Sequence, residues 1–119
     1  MILQTPMFAP ESDWSIPSVF PQFSDTETIA VDLETYDPHL MTCGPGWATG
    51  RGHIVGIGIA TDNWKGYFPI RHDGGGNLDE DVVLRWLKNT LASEKRDVIF
   101  HNALYDVGWL RREGVHVGG

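Results

Sequence analysis

Three carboxylates stand where their chemistry could be joined. The run IAVDLETYDP, residues 29–38, places Asp32 and Glu34 two apart at the end of an apolar stretch. In an extended strand alternate side chains share a face, so Ile29, Val31 and Leu33 point one way and Ala30, Asp32 and Glu34 the other. Two like charges held side by side are unfavourable unless the strand end is solvated or a positive charge, such as a divalent cation, lies between them. The third carboxylate is Asp106 in HNALYDVGWL, residues 101–110. On a helix starting near Asn102, the residues Ala103, Val107 and Leu110 form one stripe and Asn102, Asp106 and Trp109 the adjoining one, which puts Asp106 at the seam between buried and open faces. If the strand is central and the helix packs across its C-terminal end, Asp106 approaches Asp32 and Glu34. An all-carboxylate set suits hard cations, magnesium or manganese, rather than zinc or copper.

The elements that must position these residues are legible in outline. Residues 1–27 hold Pro6, Pro10, Pro17 and Pro21 with scattered aromatics Trp14, Phe20 and Phe23, the pattern of an extended leader draped on a surface. A strand is expected at about 28–33, followed by a long glycine-rich loop through residue 52. Gly44 and Gly46 neither follow a strand directly nor open a helix, so they do not make a dinucleotide fingerprint. HIVGIGIATD alternates Ile54, Gly56 and Gly58 against Val55, Ile57 and Ile59, which suits a strand in close contact with neighbouring backbone. KGYFPI returns as the second arm of a hairpin, and Pro69 makes it an edge strand. Asn77 with Glu80 three residues on matches a capping box, and Val83, Leu84, Leu87 and Leu91 repeat at helical spacing, so a helix is expected at about 78–92. DVIF is a short buried strand, and a second helix follows, closed by Gly114. The order β-β-β-α-β-α implies an α/β domain at 28–119, a mixed sheet with flanking helices.

Composition narrows the partners. The 119 residues suffice for one domain, and 16 acids against 9 Lys and Arg give a net charge of −7. Long-range attraction to nucleic acid or an anionic membrane is therefore not favoured, and a polyanionic partner needs metal ions or a local basic patch. A single cysteine, Cys43, excludes an internal disulfide and a zinc ribbon. No apolar run is long enough to span a membrane, and the N-terminus lacks a signal-peptide pattern, so a cytoplasmic protein is expected. The five histidines show no ligand spacing, Trp86 and Trp109 read as core, and Arg111 and Arg112 read as a solvated helix end.

AVDLET resembles the first motif, Asp-x-Glu-Thr, of the DEDD 3′→5′ exonucleases, and HNALYD resembles their second, Asn-x-x-(Tyr)-Asp. GHIVGIGIATD, GYFPIRH and VIFHNALYDVGWLRREGV are similar to the proofreading domain of family A DNA polymerases of the phage and bacterial polymerase I type. The resemblance covers residues 28–119. It implies a ribonuclease-H-like fold and hydrolysis of phosphodiesters at a DNA 3′ end, in a bacterial or phage-infected cell. Two magnesium or manganese ions roughly 3.5–4 Å apart would activate water and stabilise the departing oxygen. Carried onto this chain, Asp32 would bridge both ions, Glu34 would complete one of them, and Asp106 would hold the second through water. Leu33, Thr35, Asn102 and Tyr105 match positions that line the terminal nucleotide, although Thr35 and Tyr105 also suit packing and Asn102 also suits a helix N-cap.

The family's third motif, Tyr-x-x-x-Asp or His-x-x-x-x-Asp, has no counterpart before Gly119. Asp62, Asp73 and His101 do not replace it cleanly. The expectation is an N-terminal piece of an exonuclease domain, truncated at the C-terminus or completed by another polypeptide, with single-stranded DNA as its partner. The alternative is a non-catalytic module that keeps the fold to bind nucleic acid or a replication partner.

Overall fold

The structure is a computed structural model that describes residues 2–4 and 15–118. Its elements run β1 Ile2–Gln4, β2 Ile29–Tyr36, α1 Leu40–Cys43, α2 Gly46–Thr49, β3 His53–Ala60, β4 Lys65–Pro69, α3 Glu80–Leu91, β5 Val98–Phe100 and α4 Ala103–Arg112. The strands form one mixed sheet in the order β1-β5-β2-β3-β4. β2 is therefore the central strand, parallel to β5 and antiparallel to β3, while β4 closes the hairpin at one edge. This is an α/β architecture. Pro69 ends the edge strand β4, as its missing N–H requires.

Two features depart from the expected order. Ile2–Gln4, within the stretch read as leader, pairs in parallel with β5 and extends the sheet. The glycine-rich loop contains α1 and α2, each a single turn, and Gly50 stops α2 in the left-handed conformation at φ 75°. Residues 15–27 do drape over the fold. Phe20 stacks on Phe68 of β4 at 5.6 Å and meets Trp86 of α3 at the same distance, and Phe23 packs against Trp64 and Trp86. Trp14 lies outside the described residues.

The core is built from Ile29 and Val31 of β2, Ile57 and Ile59 of β3, Phe68 of β4, and Val83, Leu87 and Leu91 of α3, all fully buried. Burying such side chains is worth roughly 1.5–3 kcal/mol each, which fixes the face that β2 and β3 turn to α3. Ile54 is buried with them, although simple alternation groups it with the glycines. The reason is a bulge: Glu34 pairs with Gly56 but Thr35 with Ile54, which leaves Val55 as an extra residue. Its carbonyl accepts from both Ile70 and Arg71 at 3.0 Å.

The N-cap of α3 is Asp79 rather than Asn77. Its side chain accepts from the amides of Asp81 at 3.0 Å and Val82 at 3.2 Å. Asn77 instead clasps the backbone of His72, donating to its carbonyl and accepting from its amide. In α4 the buried residues are Asp106, Trp109 and Leu110, so the stripe expected at the seam is the inner one. Trp109 outweighs Val107 in the apolar area it can hide, and it carries its neighbour Asp106 inward.

Candidate active site

β2 and α4 together wall a cavity of about 690 Å³. From β2 come Asp32, Leu33 and Thr35; from the β5–α4 junction and α4 come His101, Asn102, Leu104, Tyr105 and Asp106; Leu40, Pro45 and Trp47 close it from the loop. Six of the seven expected site residues therefore share one wall. Glu34 is the exception.

Asp32 is 8% exposed and Asp106 4%. Burial pushes the Asp32 carboxyl up to about 6, with the charge of Glu34 adding to the rise and His101 opposing it. Burial likewise pushes Asp106 up to about 6; the amide of Asn102 and His101 oppose the rise, and the charge of Asp32 adds to it. The Asn102 amide donates to Asp106 Oδ2 at 3.4 Å. Asn102 occupies the N-cap position of α4, but its own side chain makes no capping bond.

Two partly desolvated carboxylates, Asp106 raised further by the charge of Asp32 and Asp32 by that of Glu34, offer only oxygen ligands. That chemistry fits a hard divalent cation held by Asp32 and Asp106. Among the described residues no group of three His, Cys, Asp or Glu side chains is arranged to hold a metal ion. Glu34 is not among the residues that line the cavity. Its Oε2 accepts from the Tyr67 hydroxyl at 2.9 Å and lies 4.0 Å from His72 Nε2.

Thr35 and Tyr105 are tied into the protein. Tyr105 donates to Asp37 Oδ2 at 2.7 Å and shares a 3.0 Å hydrogen bond with Thr35 Oγ1. The same Asp37 oxygen accepts from the Gly46 amide at 3.0 Å, which anchors the start of α2. Arg112 donates to the Gly46 carbonyl at 3.1 Å and places its guanidinium 5.5 Å from the Trp109 ring, so it braces α4 against the loop. Asp37, Tyr67, His72 and Trp47 are contributors that sequence reasoning missed. The bare Gly56 and Gly58 opposite a tyrosine were the available signal for Tyr67; nothing local marks the others.

A DNA-directed DNA polymerase of Pseudomonas phage M6 is 38% identical to this chain over 120 aligned positions, which cover 95% of the chain. The chain is similar to part of a DNA polymerase. It spans 18% of that polymerase's length. No protein-family model matches it. Among the described residues no helix is long and apolar enough to cross a membrane.

Proposed function

We propose that this chain forms part of a ribonuclease-H-like 3′→5′ exonuclease domain that serves a family A DNA polymerase in proofreading. The observation that carries the reading is the pairing of buried Asp32 and Asp106 in one cavity with Leu33, Thr35, Asn102 and Tyr105. Similarity to a segment of a phage polymerase supports the polymerase context.

In this reading Asp32 and Asp106 would hold magnesium or manganese, and Glu34, two residues along β2 from Asp32, would add a third carboxylate. Bound there, the ions supply Lewis acidity toward water and the phosphodiester, and they offset the repulsion between DNA and a chain of net charge −7. The protein's own part is placement. Leu33, Leu40, Pro45 and Trp47 give the cavity apolar walls against which a terminal base can lie. The bond from Tyr105 to Asp37 ties α4 to the start of the loop that follows β2. Asn102, at the start of α4, leaves its side chain uncommitted to capping and therefore available to a nucleotide.

Manganese calorimetry tests the reading directly. The chain should bind manganese, and a 3′-terminated single-stranded oligonucleotide should bind more tightly when the ion is present. Manganese-independent DNA binding that survives Asp32→Ala would instead favour a non-catalytic binding module.

A further inference from the structure

The hairpin carries a constellation that the cavity does not use. Tyr67 of β4 pairs with Gly58 of β3, and Gly58 pairs in turn with Asp32 of β2. One row along, Gly56 lies opposite Glu34. A Cβ on Gly56 would fall on the Tyr67 hydroxyl, so only bare backbone there lets the phenol cross β3 to reach β2. Its hydroxyl then sits 2.9 Å from Glu34 Oε2 and 2.6 Å from His72 Nε2.

The proton directions follow from the groups involved. An ionised carboxylate only accepts, so the single phenol proton goes to Glu34, and His72 Nε2 must carry the hydrogen that the Tyr67 oxygen accepts. His72 is itself held by the two bonds of its backbone to Asn77, at 2.7 and 2.8 Å. Both contacts to Glu34 fall on Oε2.

We propose that Tyr67, oriented by His72, is a positioning residue for Glu34: it occupies Oε2 and fixes the carboxylate so that Oε1 is the oxygen offered to a cation. The proposal rests on the cation reading above. A partner that orients a ligand typically changes metal affinity by roughly 10- to 100-fold.

The test is a double-mutant cycle on residues 1–119 with Tyr67→Phe, Glu34→Ala and both. Manganese affinity should fall roughly 10- to 100-fold in Tyr67→Phe, with no further loss when Tyr67→Phe is added to Glu34→Ala. In the metal-free protein the shifts in urea midpoint should be non-additive. His72→Ala should reproduce part of the affinity loss and His72→Gln, which keeps an N–H donor, should restore it. Unchanged affinity in Tyr67→Phe, or an equal loss in the Glu34→Ala background, overturns the positioning role while Asp32→Ala still reports whether the cation reading stands. If the wild-type chain binds no manganese, the cation reading fails by itself, and additive urea shifts would then remove the Tyr67–Glu34 link as well.

Discussion

Asp32 and Asp106 are most costly to the fold when both are charged, and this gives their site a pH signature. Each has a folded pKa of about 6 against an ordinary value of 3.8. The unfolded chain releases these protons first, so their contribution is fully present below pH 3.8 and is lost as pH rises through about 6. The two share one interaction and a cavity wall admits some water, so the loss is on the order of 2 kcal/mol for the pair. In metal-free protein, urea stability should fall by that amount between pH 4 and pH 7, and Asp32→Asn should flatten the slope and raise stability at pH 7. An identical slope in the variant would show that the pair is not responsible. Metal binding should separate the two carboxylates differently. Asp32→Ala should abolish manganese binding, whereas Asp106→Ala should remove only its weaker component; unchanged calorimetry in Asp32→Ala would sink the assignment.

At the scale of elements, α3 discriminates two candidate caps. Asp79 holds the amides of Asp81 and Val82, and Asn77 holds the backbone of His72. Asp79→Ala should cost about 1 kcal/mol and speed amide exchange at Asp81 and Val82. Asn77→Ala should leave those two amides protected and act instead on the His72 loop. Exchange at Asp81 and Val82 that responds to Asn77→Ala would move the cap back to Asn77. The contact between α4 and α2 makes a matching demand on backbone: a Cβ on Gly108 would overlap the Trp47 indole. Gly108→Val should therefore displace Trp47, which a blue-shift or red-shift of its fluorescence would report, and open the cavity it helps to close.

The whole molecule depends on segments far apart in sequence. Residues 15–27 cover the face of β4 and α3 through Phe20 and Phe23, and the Trp86 indole donates to the Pro21 carbonyl at 2.9 Å. The proposed catalytic site is assembled on the same scale. In that proposal Asp32, Glu34 and Asp106 would supply three carboxylates, and neither Asp62 in the hairpin turn nor Asp73 in the glycine loop lines the cavity to supply the fourth that the exonuclease reading requires. Without it, and without a residue to orient water, the rate should drop by at least ~10²-fold. Residues 1–119 should digest single-stranded DNA very slowly or not at all, and a polypeptide carrying a Tyr-x-x-x-Asp motif should restore digestion from the 3′ end unless Glu34 is changed to Ala. Rapid digestion by residues 1–119 alone would show that another ligand completes the site, with His101 the first to change.

The sequence by itself determined the period of each major element. Alternation set the paired faces of β2, helical spacing set α3 to within two residues at each end, and Pro69 placed β4 at an edge. It also determined that Asp32 and Glu34 leave β2 on one face and that Asp106 falls in the first turn of its helix, because local geometry dictates those directions. Tertiary structure decided the rest. Ile54 changed partners because of a bulge that no local pattern announces, and Asp106 went inward because Trp109 had more apolar area to hide than Val107. The destination of the Glu34 carboxylate was likewise decided by a tyrosine 33 positions away that crosses β3 over Gly56. Backbone periodicity is a property of neighbours along the chain, whereas a side chain's partner depends on which distant surfaces the core brings within a few ångströms.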